Sequence, residues 1–272
     1  MYGRPGSGQE IGYSRPVPHS VLEAYCRAAR AVVDRVQATQ LEAIEAASQR
    51  CAASIAGGGL VHVFGSGHSR MAVEEIWPRY GSYPGFHTIV ELSLTFHNQV
   101  VGANGQRQAM YVEGTPGLAR VILRNFRLAQ NDVMLVFSTS GTNVVPVEIA
   151  IAAREQGLYT IGVMSVEHCR VARAKQPDGK KLLDAVDLVI DSCVPPGDAM
   201  VEVPGLPWPV GPGSTIGNTV IANALKCRVA ELLTAAGQPP LVLTSSVRVG
   251  EAESARLFDA AYDDHRERVS RL

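Results

Sequence analysis

Short apolar runs and helical repeats alternate along the chain. The segment 21–56 is dense in helix-forming residues with apolar positions three and four apart, which predicts two helices or one long one. Three glycines at 57–59 end this region. Beyond them, apolar runs rich in β-branched and aromatic residues predict strands at 60–64, 86–92, 132–138, 159–165 and 187–192. Helical patterns lie among and after these runs, at 71–81, 115–129, 144–157 and 215–237.

Nearly continuous apolar strands separated by helices are typical of a parallel sheet that helices cover on both faces. The sequence therefore predicts an α/β fold: a doubly wound, flavodoxin-like parallel sheet with an N-terminal helical extension. Six prolines and four glycines within 194–214 predict a structured loop or a short hairpin. We expect a flexible tail at 1–18, the helical extension at 19–56, one domain at 57–250 and a C-terminal helix at 251–272.

The charge balance disfavours several classes of function. The chain has 272 residues, of which 46% are hydrophobic, and its 25 Lys and Arg residues nearly balance 26 Asp and Glu residues. A formal net charge of −1 without a basic stripe disfavours nucleic-acid binding. No apolar run approaches the roughly 20 residues that span a bilayer, and the Gly- and Pro-rich N-terminal segment lacks the apolar core of a signal peptide. We therefore expect a soluble, cytoplasmic protein that binds neither nucleic acid nor membranes.

Cysteine and histidine spacing gives no sign of a metal centre. The five cysteines are scattered, odd in number and without a CxxC pair, which favours reduced core residues over disulfides or a zinc site. The seven histidines show no HExxH spacing. We expect neither a metal nor another cofactor.

Two glycine-containing turns each follow a predicted strand and precede a predicted helix. The first, Gly-Ser-Gly-His-Ser at 65–69, permits close backbone approach, and the helix after it offers N–H groups to an anion. It lacks the GxGxxG spacing of dinucleotide sites and the lysine of a Walker loop. A glycine turn needed only for packing is the alternative interpretation.

The second turn, at 138–143, is unusually rich in hydroxyl groups. They belong to Ser138, Thr139, Ser140 and Thr142. A helix cap needs only one hydroxyl, so the surplus favours a compact phosphate ester held without a lysine. Because the carboxyl ends of strands in a doubly wound sheet meet at one edge, we expect both turns to contact the same ligand.

The two turns, together with the long helix after Gly-Pro-Gly-Ser-Thr at 211–215, resemble the sugar isomerase (SIS) domain family, which binds phosphosugars. The resemblance covers about residues 20–250. The segments EEIWPRYG, IVELSLTFHN, GDAMVEVPG and GPGSTIGNT further resemble a bacterial UPF0309-like subgroup, related to phosphoheptose isomerase and N-acetylmuramic acid 6-phosphate etherase. The resemblance implies that the phosphate contacts Ser66, Gly67, His68, Ser69, Ser138, Thr139, Ser140 and Asn143. Asn143 stands where related isomerases often carry a hydroxyl, and its amide can still donate a hydrogen bond.

Chemistry on a phosphosugar begins with removal of the proton beside the open-chain carbonyl, which requires a base and a second proton carrier. Glu91 at the end of a predicted strand, His97 six residues later and Glu75 behind the first turn are the candidates. Each has a structural alternative: an arginine pair for Glu75, a cap for Glu91 and a loop histidine for His97. The resemblance favours Glu91 and His97, then Glu75. His168 is a weaker candidate, which could reach a neighbouring subunit's site.

The resemblance implies a phosphosugar lyase that dehydrates N-acetylglucosamine 6-phosphate to a 2,3-unsaturated amino sugar phosphate. An aldose-ketose phosphosugar isomerase and a non-catalytic phosphosugar-sensing protein are the alternatives. The apolar helix at 215–237 predicts a subunit contact, and the family's sites form between subunits. We therefore expect a homodimer or a larger oligomer with its site at or near the interface.

Overall fold

The structure, a computed structural model, describes residues 20–95 and 106–272, in which helices and strands alternate. The helices are α1 (Ser20–Thr39), α2 (Leu41–Ala56), α3 (Arg70–Ile76), α4 (Leu92–Thr95), α5 (Gln106–Glu113), α6 (Leu118–Leu123), α7 (Val144–Glu155), α8 (Val166–Val171), α9 (Leu182–Ala185), α10 (Ser214–Ala235), α11 (Ser246–Val249) and α12 (Glu251–Val269). The strands are β1 (Val61–Gly65), β2 (Phe86–Ile89), β3 (Val133–Phe137), β4 (Tyr159–Met164), β5 (Leu188–Asp191), β6 (Ala199–Val201) and β7 (Val210–Pro212). A 3-10 turn spans Gly67–Ser69. The tail predicted at 1–18 lies outside the described residues.

The first five strands form one parallel sheet in the order β2-β1-β3-β4-β5. This order confirms the predicted doubly wound, flavodoxin-like sheet. The chain leaves β1 for β2 on one side and then crosses to β3 on the other, so the winding direction reverses between β1 and β3. In such sheets the crevice at this reversal is where ligands bind. Strands β6 and β7 form a separate antiparallel hairpin within the Pro- and Gly-rich segment, as the sequence predicts.

Side chains along the central strands alternate between the two faces of the sheet, so the core has two layers. Val61, Val63 and Leu135 pack with apolar residues of α2, α3 and α10 on one face of the sheet. Phe64 and Val136 face the opposite layer, which α6, α7 and α9 supply. Both faces of the sheet are therefore buried, so a ligand can approach the sheet only at the ends of its strands.

The chain's own helices bury much of the long helix α10. Nine of its residues are buried, and it packs against α1, α2 and α3. Packing within one chain thus accounts for these nine residues, and the predicted subunit contact of this helix stays a prediction. Other boundaries also differ from expectation: the helical segment before β1 is two helices that meet at Gln40, and the helix expected at 115–129 is reduced to α6. No described helix combines the length and the apolar character needed to span a bilayer.

A buried carboxylate connects β3 to the C-terminal helix region. Asp132 is 1% exposed, and its oxygens accept hydrogen bonds from Leu60 N (2.8 Å), Ala129 N (2.7 Å), His62 Nε2 (3.0 Å) and Arg271 Nη2 (2.5 Å). Burial acts to raise the pKa of Asp132, but the hydrogen bonds outweigh burial and hold this pKa below its usual value. Arg271 thereby fastens the end of the chain to the sheet.

Candidate functional site

The first turn requires glycine where β1 ends. A Cβ atom on Gly65 would lie 2.7 Å from the backbone oxygen of Ser69 and 3.0 Å from a methyl group of Val73, so a side chain would force the turn open. Gly67 has φ of +56°, a conformation that L residues rarely adopt. The glycines therefore fold the chain sharply back over the end of the strand and bring Ser66 to the edge of the sheet.

The second turn is built in a similar way after β3. Gly141 has φ of +61°, and a Cβ there would lie 2.8 Å from Cys169 Sγ. The turn is held against β4 because Ser165 N donates to Thr139 O at 3.0 Å. Asn143, in extended conformation, is the residue before α7, so the N-terminal end of this twelve-residue helix follows the turn directly. The positive end of the helix dipole therefore lies beside the hydroxyl groups.

Strand register brings the two turns together. Gly65 pairs with Phe137 in the parallel ladder, so Ser66 and Ser138 leave adjacent strands at the same level, at the crevice where the winding direction reverses. Both turns line one cavity of about 370 Å³. Its lining includes every residue predicted to contact phosphate: Ser66, Gly67, His68, Ser69, Ser138, Thr139, Ser140 and Asn143. Their role in phosphate binding stays a prediction.

A carboxylate that the sequence analysis did not identify bridges the two turns. Glu113, the last residue of α5, accepts a hydrogen bond from Ser66 Oγ of the first turn. Its second oxygen accepts from Asn143 Nδ2 of the second turn at 2.5 Å. Within the described residues, no hydrogen bond involves the side-chain hydroxyl of Ser69, Ser138 or Thr139. The cavity thus combines a carboxylate with hydroxyl groups that are not hydrogen-bonded to any described residue.

A lysine approaches the second turn from outside. Lys175 Nζ donates to Asn143 Oδ1, and Lys175 N donates to Thr142 O at 3.3 Å. The surplus of hydroxyl groups in this turn favours a phosphate ester held without a lysine. That interpretation stays a prediction, but the segment after α8 returns to the turn and brings one positive charge to Asn143.

Another part of the cavity lining comes from α8 and the segment at the β6–β7 hairpin. His168 in α8 and Asp198 before β6 both line it. Asp198 Oδ1 accepts from Ser214 N at 2.7 Å and Gly213 N at 3.0 Å, and its Oδ2 accepts from Ser214 Oγ at 2.7 Å. The carboxylate therefore caps α10 and fixes the start of that helix at the cavity.

Of the predicted acid and base residues, Glu75 and Glu91 are described, and neither lines this cavity. Glu75 lines a different cavity, where Arg79 and Asn223 Nδ2 (2.8 Å) donate to its two oxygens. The arginine pair weighed against catalysis is thus present. Glu91 lies just before α4 and accepts from Ser93 Oγ at 3.0 Å, which is the capping alternative. His97 lies outside the described residues.

Three larger cavities lie elsewhere among the described residues, one of them of about 410 Å³ between α6 and α7, and none includes a residue of the two turns. One of about 650 Å³ lies between α1 and the β6–β7 hairpin, and one of about 500 Å³ lies between α3 and α12. Within residues 20–95 and 106–272, no three or more His, Cys, Asp or Glu side chains are grouped as metal ligands. Chemistry rather than size therefore makes the cavity between the turns the candidate site.

Comparison with known proteins agrees with this geometry. The sequence profile of the SIS domain matches residues 24–165. A UPF0309 protein of Caldanaerobacter subterraneus is 31% identical over 243 residues, covering 88% of this chain and 96% of that protein. A UPF0309 protein of Halalkalibacterium halodurans is 30% identical over 236 residues, covering 86% and 95%. The structure of phosphoheptose isomerase from Neisseria gonorrhoeae superposes with a TM-score of 0.51 and 12% identity, over 79% of this chain and all of that one, which shows a shared fold. This chain belongs to the SIS domain family and, within it, to the UPF0309 proteins.

Proposed function

We propose that this protein binds a sugar phosphate between the two turns and dehydrates N-acetylglucosamine 6-phosphate. The observation that carries the proposal is the convergence of two hydroxyl-rich turns and one carboxylate on a single cavity. Hydroxyl groups and backbone N–H groups suit a phosphate ester, and a carboxylate suits removal of a proton from carbon.

The phosphate is assigned to the hydroxyl groups of Ser69, Ser138 and Thr139, which are not used within the described chain. The N-terminal end of α7 and the ammonium group of Lys175 supply positive potential at the same turn. Because the phosphate is remote from the reacting carbons, its contacts would orient the sugar chain and contribute binding energy.

Glu113 is our preferred base, because it is the one glutamate among the described residues that line the cavity and Glu91 is not among them. In the open-chain sugar, a carboxylate oxygen takes the proton from C2, and the electron pair of that bond moves toward the C1 oxygen. As the electron pair returns from the C1 oxygen, the double bond between C2 and C3 forms and the bond from C3 to O3 breaks. O3 accepts a proton and leaves as water. Glu91 stays the alternative base. His97 and Glu75 stay the candidates, predicted from the sequence, for the acid that donates a proton to O3.

An aldose-ketose isomerase is the second candidate, because it begins with the same removal of a C2 proton and returns that proton to C1. The fold shared with phosphoheptose isomerase is compatible with it. A binding protein without turnover is the third candidate.

The test is incubation of the purified protein with N-acetylglucosamine 6-phosphate, followed by mass spectrometry and ultraviolet absorbance. We expect loss of one water and a new absorbing product. Glu113→Gln should lower kcat by about 10² to 10⁴ while inorganic phosphate still binds, because the amide cannot accept the proton. Glu155→Gln is the control, since its exposed pair with Arg120 is remote from both turns.

Each other outcome has a distinct meaning. A ketose phosphate without absorbance replaces dehydration by isomerisation. Full turnover by Glu113→Gln together with loss of turnover by Glu91→Gln transfers the role of base to Glu91. Absence of both turnover and inorganic phosphate binding in the wild-type protein overturns the proposed function.

We also propose that the protein is at least a homodimer with the site near its interface. Light scattering under assay conditions tests this, and a monomer with full activity contradicts it.

A further inference from the structure

His168 is held at the cavity by its own helix start. Ser165 precedes α8, and its Oγ accepts from His168 N at 3.3 Å while donating to Val194 O at 2.6 Å. The neighbouring Cys169 is fully buried, which anchors the other side of the short helix. His168 therefore lies on a fixed backbone and lines the same cavity as Glu113 of α5.

One hydrogen bond of the ring indicates which of its nitrogens carries the hydrogen in the neutral form. Gly197 N donates to Nδ1 of His168 at 3.3 Å. A backbone N–H can only donate, so Nδ1 carries no hydrogen, and in the neutral ring the hydrogen is on Nε2. Burial lowers the pKa of His168, and the charge of Lys175 acts in the same direction, while Asp198 opposes them. The neutral ring with Nε2–H is thus the form expected near neutral pH.

We propose that His168 Nε2–H donates a hydrogen bond to the carbonyl oxygen of the bound open-chain sugar, and that it stabilises the negative charge that develops there. This inference rests on the proposed function, and it holds for dehydration and isomerisation alike. The proton of C2 goes to the carboxylate, the electron pair moves onto the C1 oxygen, and His168 keeps its own proton throughout. A neutral imidazole suits this role, because it donates without first having to be charged.

Two substitutions separate this role from a purely structural one. In His168→Asn, the side-chain oxygen takes the approximate position of Nδ1 and can accept from Gly197, but no donor reaches the position of Nε2. In His168→Gln, the amide nitrogen takes the approximate position of Nε2, and the acceptor for Gly197 is lost. Each variant therefore preserves one of the two contacts.

We expect His168→Asn to lower kcat about 10² to 10³ fold with KM changed less than about threefold, the effect typical of losing one donor to an oxyanion. His168→Gln should retain kcat within about tenfold. Inorganic phosphate should bind both variants as it binds the wild-type protein, since the ring is not assigned to the phosphate. Thermal unfolding confirms that both variants are folded.

The opposite order, with His168→Asn active and His168→Gln inactive, overturns the inference and assigns His168 to holding the turn at Gly197. Equal activity of both variants and the wild-type protein overturns it too. If one variant does not fold, the other still tests the inference, because kcat is expected to fall about 10² to 10³ fold in His168→Asn and to stay within about tenfold in His168→Gln. If the wild-type protein turns over no phosphosugar, the proposed function fails first and this inference falls with it.

Discussion

The substitution Asp132→Asn tests how much stability one buried carboxylate provides. Oδ1 accepts from Leu60 N and Arg271 Nη2, and Oδ2 accepts from Ala129 N and His62 Nε2, all within 3.0 Å. An amide keeps one oxygen and places an NH2 group where the other was. Whichever way the amide is oriented, two donors then face a donor.

The magnitude follows from those two lost acceptors. A buried donor without a partner costs about 1 to 3 kcal/mol, and removing one member of a buried ion pair costs about 3 to 5 kcal/mol. We therefore expect Asp132→Asn to lower the free energy of unfolding by about 3 to 5 kcal/mol. At about 2 to 4 °C per kcal/mol for chains near this size, Tm should fall by roughly 6 to 20 °C.

Urea unfolding near neutral pH, followed by circular dichroism, measures the difference. Asp263→Asn is the matched control, because its pair with Arg266 is 65% and 80% exposed and should contribute less than about 1 kcal/mol. A loss below about 1 kcal/mol in Asp132→Asn would refute the reasoning, since the four donors would then have found other acceptors.

The pH dependence gives a second check. The pKa of Asp132 is lower in the folded chain than the value of about 3.9 in an unfolded chain. The carboxylate therefore stabilises the fold fully above that unfolded value, and its contribution is lost as pH falls through the folded value. The stability curves of the wild-type protein and Asp132→Asn should converge at acidic pH, and curves that stay parallel below pH 4 contradict this assignment.

Two further predictions concern the second turn. Gly141→Ala places a Cβ 2.8 Å from Cys169 Sγ at φ of +61°, so it should lower the free energy of unfolding in urea by about 2 to 4 kcal/mol. It should also weaken inorganic phosphate binding, measured by calorimetry, at least tenfold. The control Gly179→Ala, with φ of +79° and open space around the Cβ, should lower the free energy of unfolding by only about 1 to 2 kcal/mol and leave phosphate binding intact. Equal losses in both variants contradict the steric argument. Lys175→Met should weaken inorganic phosphate binding about three- to tenfold at low salt and less at high salt. The control Lys180→Met should leave phosphate binding unchanged. An effect of Lys175→Met that does not depend on salt would contradict a role for its charge.

Much of the fold could be predicted because its determinants are local. The strands at 61–65, 133–137 and 159–164 are apolar runs of strand length between helical patterns, and both turns are marked by glycines at strand ends. Parallel pairing then places such turns at one edge whatever the distant contacts are. For this reason the sequence predicts that the eight phosphate candidates lie close together.

Glu113 and Lys175 could not be found in this way. Glu113 ends a short helix that follows no described strand, and Lys175 lies more than thirty residues beyond the turn it contacts. Only tertiary packing brings them to the cavity. Glu75 lines a different cavity, because a helical position behind the first turn does not determine which cavity its side chain faces.

The cap of α10 links the candidate site to the interior. Asp198 holds the first turn of this helix at the cavity, while Ile221, Leu225 and Val229 of the same helix are fully buried in the core. A ligand that immobilises the cavity lining beside Asp198 would therefore also restrain α10, because this helix is packed in the core. Occupancy should then be detectable as slower hydrogen-deuterium exchange at amides in the middle of α10, which touch no ligand themselves.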